Sequence, residues 1–236
     1  MIVGVVSDDY KDCFLGFPTS KEISNVEGND VDLYEEYLTA MDNAGFSVWL
    51  QVEPGYADLV ELAKEVMNRY RHHRCVKGFG IDVEWYQRDS KEHRKGTKLD
   101  KTTANKVLNA IRKIDSSYTI FIKHWVADYL TEEDPVDGFI YINDSQGFHA
   151  GKDYTALERM CDEFADWAEN FAPCPVMFQI GYDADEGIWG SMDNPAKELG
   201  QAIINECKKR NLTNDIGIIW VDFTLKDAIN KISADD

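Results

Sequence analysis

The sequence has no run of apolar residues that could cross a membrane, which takes about 20 consecutive residues as a helix. Its first ten residues, MIVGVVSDDY, show no basic segment followed by an apolar stretch of signal-peptide length. We therefore expect no membrane partner. The same absence predicts a cytoplasmic chain, or a module excised from a secreted protein.

Positive charge is scarce. The chain has 25 Lys and Arg against 43 Asp and Glu, for a formal net charge of −18. Affinity for nucleic acid comes from clustered Lys and Arg, so nucleic acid is not an expected partner. A neutral or cationic substrate fits this charge better. The oligomeric state is not indicated by the composition.

Cysteine and histidine are few and have no metal-binding spacing. The five cysteines are scattered and lack C-x-x-C pairs, so neither a disulfide framework nor a structural zinc site is expected. His72, His73 and His93 lie in basic stretches typical of a surface. Gly-rich nucleotide motifs and the G-x-S-x-G nucleophile turn are also missing. The sequence therefore predicts no metal and no cofactor.

What is present is a regular alternation of short β-branched runs and longer amphipathic segments. With 44% hydrophobic and 12% aromatic residues, the chain should form a packed core. The predicted strands are Ile2–Val6, Cys13–Phe17, Phe46–Val52, Gly78–Glu84, Tyr118–Lys123, Gly138–Ile142, Val176–Ile180 and Gly217–Val221. The predicted helices are Val31–Ala44, Tyr56–Arg71, Thr102–Ile114, Tyr154–Phe171, Asn194–Arg210 and Leu225–Ile232.

This alternation predicts the α/β class and a single (β/α)₈ TIM-barrel domain over residues 1–236. The first β-α connection is too short for a full helix, and the link Trp125–Asp134 has room for little more than one turn. A doubly wound open sheet is the alternative. It is disfavoured because no Gly-rich turn follows the first strand.

Polar residues fall at the carboxyl ends of the predicted strands. Side chains alternate faces along a strand, so Phe79, Ile81 and Val83 should face the helices. Asp82 and Glu84 should then face the interior, at the end where barrel enzymes hold their active sites. The same alternation directs further polar residues inward: Gln51, Glu53, Lys123, Asn143, Gln179 and Asp222.

These residues predict a polar pocket, because unpaired charges are too costly to leave in an apolar core. Asp82 and Glu84, two positions apart on one strand, have Cα atoms roughly 6.6 Å apart. At that distance one carboxyl tends to keep a proton and can act as a general acid. A purely structural alternative stays open, in which Lys123 pairs with Asp82 or Glu84 in a buried network.

An acid beside a second carboxylate is what glycoside hydrolysis requires. The sequence hypothesis assigns Glu84 as the acid and Asp82 as its partner, with Glu53 and Asp222 as reserve carboxylates. Aromatic and polar side chains near the strand ends are the predicted substrate-binding residues. They are Gln51, Trp85, Tyr86, Lys123, Trp125, Asn143, Gln179, Tyr182 and Trp220.

The segment KGFGIDVEWY resembles the D-G-x-D-x-D-x-E strand of glycoside hydrolase family 18, the chitinase-like barrels. SVWLQVEPG and GIIWVDF are similar to that family's third and last strands. The resemblance implies a TIM barrel acting on a polysaccharide or cell-wall glycan. It departs at the acid, because Glu84 stands at the family's final aspartate and Tyr86 at its catalytic glutamate.

Two weaker resemblances accompany it. The short Asp82-Val83-Glu84 segment is similar to the strand-borne pair of the family 25 muramidases, in which the glutamate is the acid. Longer segments, among them GFGIDVEWY and FQIGYDADEGIWG, resemble uncharacterised proteins with a hydrolase-like barrel.

Two other functions remain open. Tyr86 at the acid position favours a carbohydrate-binding barrel without catalysis. Alternatively, Lys123 could form a Schiff base, or Glu53, Asp82 and Glu84 could hold Mg²⁺ for a different barrel chemistry.

Overall fold

The computed structural model of the chain describes residues 1–130 and 137–232. Its strands are β1 (Ile2–Val6), β2 (Cys13–Leu15), β3 (Val26–Gly28), β4 (Val48–Val52), β5 (Val76–Asp82), β6 (Thr119–Lys123), β7 (Phe139–Asn143), β8 (Val176–Ile180) and β9 (Ile216–Trp220). Its α-helices are α1 (Glu35–Ala44), α2 (Leu59–Tyr70), α3 (Lys101–Arg112), α4 (Ala156–Asn170), α5 (Glu186–Trp189), α6 (Pro195–Lys209) and α7 (Asp222–Ile232).

The nine strands form a mostly parallel sheet in the order β3-β2-β1-β4-β5-β6-β7-β8-β9. From β4 onward, an α-helix follows each strand except β6 in the described residues, which confirms the predicted α/β class. The predicted link Trp125–Asp134 contains one short 3₁₀ turn, Ala127–Tyr129, and its part beyond Leu130 lies outside the described residues.

The first two strands differ from a regular (β/α) unit. β2 runs antiparallel to β1, with Val6 opposite Cys13. The short connection closes as a hairpin, in which the Ser7 N–H donates to the Asp12 carbonyl at 2.8 Å and Tyr10 has a φ of 64°. A parallel partner needs a crossover of about a dozen residues or more, so this loop is too short to make one. The additional strand β3 pairs with β2 and was not predicted.

The chain divides into two compact units, Met1–Ile140 and Tyr141–Asp236. That residues 1–236 form one domain stays a prediction. In the first unit, α2 packs on β5 and α3 on β6. Phe79 and Ile81 are fully buried, as predicted for the helix-facing side of β5.

The opposite face of β5 carries glycine because an aromatic ring lies against it. A Cβ on Gly80 would come within 2.1 Å of the Phe121 ring. Phe121 of β6 is itself buried. The predicted alternation of side chains between the two faces of the sheet is therefore correct along β5 and β6.

Helix starts follow local capping chemistry. A side-chain oxygen accepts a backbone N–H from the first turn in four of the helices, which satisfies groups that have no partner within the helix. The capping residues are Asp58 for α2, Asp100 for α3, Thr155 for α4 and Asn194 for α6.

Helix α1 ends as predicted but is shorter than predicted. It stops at Gly45, which has a φ of 74° and so adopts a left-handed conformation that glycine tolerates. Leu38 is fully buried, whereas the neighbouring Tyr37 is 64% exposed. The apolar residues of α1 are therefore only partly buried.

In the second unit, α4 packs against α6. Phe164 of α4 stacks on Phe178 of β8 with 4.7 Å between ring centroids, and both are fully buried. Trp167 of α4 and Trp189 of α5 are also buried.

Candidate functional site

The first unit brings together charged side chains at the ends of two adjacent parallel strands. Asp82 ends β5 and Lys123 ends β6, and the two residues are register partners. The Lys123 Nζ lies 2.8 Å from the Asp82 Oδ2, and both side chains are less than 10% exposed. Gln51 of β4 donates from its Nε2 to the same Asp82 oxygen at 3.1 Å. These three residues point inward as predicted and form one buried polar group.

Glu53 follows β4 directly and is tied to β1. Its backbone N–H donates to the Gly4 carbonyl at 3.0 Å, and its Oε2 accepts the Val6 N–H at 3.0 Å. Burial raises the pKa of Glu53, against the lowering effects of the Val6 N–H and the Lys123 charge. Glu53 is therefore a carboxyl that holds its proton more tightly than an exposed glutamate does.

The Val6 contact is a feature that the sequence did not indicate. It depends on the parallel pairing of β1 with β4, strands about 45 residues apart in the chain. Polar contacts at strand ends follow from strand order, and the spacing of residues within one strand does not reveal them.

Glu84 does not lie on β5, which corrects the sequence interpretation. The strand ends at Asp82, and Val83–Trp85 form a 3₁₀ turn closed by the Tyr86 N–H donating to the Val83 carbonyl at 3.0 Å. The predicted two-residue spacing of Asp82 and Glu84 on one strand face is therefore wrong. Glu84 is half-buried, and its assignment as the acid stays a prediction.

The two aromatic residues after Glu84 have different surroundings. Trp85 stacks on Tyr10 with 6.0 Å between centroids, and the Arg88 guanidinium lies 4.6 Å from the centroid of each ring. Tyr86 is half-buried, its backbone forms a bridge with Gly55, and burial raises the pKa of its phenol. One face of Trp85 is thus already engaged by the protein.

Trp125 follows β6 and stacks on His124 with 4.4 Å between centroids. His124 is fully buried. Its Nδ1 accepts the Val126 N–H at 2.8 Å, so its ring fixes the segment that carries Trp125. Trp125 itself is half-buried.

In the second unit, three predicted binding residues lie at or after the ends of β7 and β8. Asn143 is buried, and its Oδ1 accepts the Ser145 N–H at 2.7 Å. Gln179 donates from its Nε2 to the Tyr182 hydroxyl at 2.7 Å. Tyr182 is 8% exposed. These contacts order the loops that follow the two strands.

Trp220 and Asp222 lie at the junction of β9 and α7. Trp220 is half-buried and donates from its Nε1 to the Thr224 Oγ1 at 2.9 Å. Asp222 was expected to point inward at the end of a strand. It is instead the exposed first residue of α7, because β9 ends at Trp220. A catalytic role for Asp222 stays a prediction.

Asp185 is a buried carboxylate that was not among the predicted site residues. Its Oδ1 accepts the N–H groups of Gly147 and Phe148 at 3.0 and 2.8 Å. Burial raises its pKa, while these two N–H groups lower it. Asp185 holds the loop after β7, and the run of acidic residues in GYDADEGIWG was the only available signal for it.

Each unit therefore has polar residues at strand ends, and the charged group lies in the first. Burial raises the pKa of Glu53, and the charge of Lys123, the ion-pair partner of Asp82, acts on it in the opposite direction. Whether the residues of the second unit share a substrate with this group stays a prediction. Among the residues of 1–130 and 137–232, no helix has the length and apolar character that a membrane crossing requires.

No protein-family model matches the chain, and no curated relative matches it either. Similar solved structures include a β-glucuronidase from an uncultured Clostridium species, with 18% identity, a TM-score of 0.48, and coverage of 79% of this chain and 35% of that one. The endoglucanase Cel5A of Pseudomonas stutzeri, solved with cellobiose, has 13% identity, a TM-score of 0.47, and coverage of 82% and 65%.

The endo-glycoceramidase II of Rhodococcus, in complex with a cellobiose-like imidazole, has 13% identity, a TM-score of 0.43, and coverage of 69% and 39%. The chain thus spans between about a third and two thirds of the length of these three proteins. Overlaps with TM-scores below 0.5 do not assign an activity. None of the three is described as a family 18 enzyme, so that resemblance stays a prediction.

Proposed function

We propose that this chain hydrolyses a glycosidic bond by carboxylate acid/base catalysis, with Glu53 as the general acid. The observation that carries the proposal is a carboxyl of raised pKa beside a buried Asp82–Lys123 ion pair, at the carboxyl ends of adjacent parallel strands. A general acid needs a proton to give near neutral pH, and burial favours that state for Glu53.

The roles follow from the surroundings of each group. Glu53 protonates the leaving oxygen. Asp82, which pairs with Lys123 at 2.8 Å, stabilises the positive charge that develops on the sugar ring. Gln51 fixes the orientation of the Asp82 carboxylate. Trp125 and Trp85 are the proposed sugar-stacking residues, and the glycan class, including the chitin or cell-wall glycan implied by the family resemblance, belongs to the proposal.

Glu84 is the competing acid. It lies in the 3₁₀ turn directly after Asp82, where a carboxylate could also reach a bond held above the strand ends. One set of variants tests which of the two residues, Glu53 or Glu84, is the general acid.

The test compares Glu53→Gln, Glu84→Gln and the exposed control Glu169→Gln on chitin, peptidoglycan and cellulose fragments, with release of reducing ends as the measurement. Loss of a general acid lowers turnover by about 10²–10⁴-fold, so we expect that loss for Glu53→Gln and none for Glu169→Gln. Aryl glycosides have leaving groups that need little protonation. Glu53→Gln should therefore keep much more of its activity on them.

Undiminished turnover in Glu53→Gln would refute the assignment of the acid. A loss confined to Glu84→Gln would transfer the role to Glu84. Calorimetric binding of an oligosaccharide with no cleavage of any glycan would instead support the carbohydrate-binding alternative. Trapping of Lys123 by borohydride with a carbonyl substrate would support Schiff-base chemistry.

A further inference from the structure

Three potential metal ligands meet on the first unit, apart from the Glu53 group. They are Glu35 in the first turn of α1 and the consecutive residues His72 and His73, which follow α2. One ligand atom from each residue lies within 4.8 Å of the other two. Within residues 1–130 and 137–232, this is the group of three His, Cys, Asp or Glu residues whose ligand atoms lie close enough together to hold one metal ion.

Both imidazoles face the same carboxylate oxygen. The His72 Nε2 lies 2.9 Å from the Glu35 Oε1, and the His73 Nε2 lies 3.2 Å from it. Ligands bound tetrahedrally to Zn²⁺ at about 2.0–2.1 Å are roughly 3.3 Å apart. The distances from Glu35 to the two imidazole nitrogens are therefore close to the separation that one bound ion imposes on its ligands, and the ligand atoms of the two histidines lie within 4.8 Å of each other.

His73 is the residue that points to a ligand. Its side chain is only 3% exposed, yet its Nε2 has no hydrogen-bond partner, although it lies near the Glu35 carboxylate. A buried ring nitrogen without a hydrogen bond is costly to leave unsatisfied. A metal ion bound at this nitrogen would satisfy it.

The other nitrogen of His73 is held in the manner of a metal ligand. Its Nδ1 lies 2.8 Å from the Asp42 Oδ2, and the Asp42 Oδ1 accepts the Cys75 N–H at 2.6 Å. With Nδ1 protonated and donating to Asp42, Nε2 carries the lone pair that a metal ion would bind. Carboxylates that orient metal-bound histidines in this way are a common second layer of zinc sites.

The donor set selects the class of metal. Two imidazole nitrogens and one carboxylate oxygen suit Zn²⁺ and related transition metals, whereas Mg²⁺ and Ca²⁺ prefer oxygen alone. Glu35 and His72 are about half exposed, with side chains 45% and 55% accessible, so an ion can enter from solvent. Solvent can also supply the fourth ligand.

From these contacts we infer that Glu35, His72 and His73 form a Zn²⁺-binding site, with Asp42 as the residue that positions His73. The site joins α1 to the segment between α2 and β5, and it is separate from the proposed catalytic group. Its sequence signal was weak because Glu35 is 37 residues from His72 and two adjacent histidines are not a metal motif.

The test titrates the intact chain, freed of metal with a chelator, with Zn²⁺ in competition with a chromophoric chelator. We expect one Zn²⁺ per chain. Glu35→Gln and His72→Ala should each weaken binding by about tenfold or more, and Asp42→Asn by about 10–100-fold. The controls are Glu36→Gln, the exposed neighbour on the same helix, and His93→Ala, which should bind as the parent does.

Both ligand variants alter exposed side chains, and circular dichroism verifies that they are folded. Zn²⁺ should also raise the Tm of the parent and of Glu36→Gln, but not that of Glu35→Gln. Absence of stoichiometric Zn²⁺ binding by the parent would overturn the inference and leave the cluster as an ion-pair network. Equal affinity in Glu35→Gln and Glu36→Gln would overturn it as well.

Discussion

At the scale of the residue, the environment of Glu53 separates it from the many other acidic side chains. Most of the 43 Asp and Glu residues need no explanation beyond solubility. Glu53 is different because its carboxylate accepts the Val6 N–H and because burial raises its pKa. The charge of Lys123 acts on the same carboxyl and lowers its pKa in part. The titration of this single group has a consequence for stability.

The ionisation of Glu53 should make the free energy of unfolding depend on pH. Its pKa in the folded state is raised above the ordinary 4.5, so the folded chain binds this proton more tightly than the unfolded chain. The resulting contribution to stability is present below pH 4.5 and is lost as the pH rises through the folded-state pKa. Glu53→Gln, which cannot ionise, should therefore gain stability relative to the parent as the pH rises.

Urea unfolding of the parent and Glu53→Gln at a series of pH values measures this difference. Glu36→Gln, at an exposed position, is the control and should show no such trend. A stability difference between parent and Glu53→Gln that is constant with pH would contradict the prediction.

At the scale of the element, capping residues define where helices begin. Thr155 and Glu158 form a reciprocal capping box at the start of α4: the Thr155 Oγ1 accepts the Glu158 N–H, and the Glu158 carboxylate accepts the Thr155 N–H. Together they satisfy two donors that the helix itself leaves without partners. The buried face of α4 includes Phe164 and Trp167, so fraying at its start is coupled to the core of the second unit.

Thr155→Ala should lower the free energy of unfolding by about 1 kcal/mol, the usual cost of losing a capping side chain. Thr155→Ser keeps the hydroxyl and should lose much less. Chemical denaturation monitored by circular dichroism measures both variants. Equal stabilities for the Ala and Ser variants would show that the hydroxyl contributes nothing.

At the scale of the whole molecule, the reactivity of the cysteine thiols depends on how tightly the chain is packed. All five cysteines are buried, and they are distributed over both units: Cys13, Cys75, Cys161, Cys174 and Cys207. Burial raises the pKa of Cys13 and of Cys161 to about 12 and that of Cys75 to about 11. The thiolate is the reactive form, so both access and ionisation protect these side chains.

A thiol-specific reagent should therefore modify all five cysteines in denaturant but act on the order of a hundredfold or more slowly on the native chain at neutral pH. The measurement is the time course of the absorbance released by a disulfide reagent. Rapid modification of one thiol in the native chain would show that its surroundings open easily.

Local patterns predicted much of the architecture. Strand positions followed from β-branched runs, and the inward direction of Gln51, Asp82 and Lys123 followed from alternation along each strand. The predicted end of α1 at Ala44 was correct. The turn after Asp82 was missed because Val83 continues the alternating pattern while the backbone leaves the strand. The hairpin of β1 and β2 was missed because apolar runs do not specify the direction of pairing.

The sequence by itself determined the α/β class and the side of each central strand on which charge would lie, because both depend on neighbouring residues. The tertiary structure alone decided the direction of β2, the burial of Glu53 beside Lys123, and the meeting of Glu35 with His72 and His73. Each of these depends on residues that are distant in the chain. Burial and long-range contact, which set pKa values and arrange metal ligands, arise only when separate elements pack together.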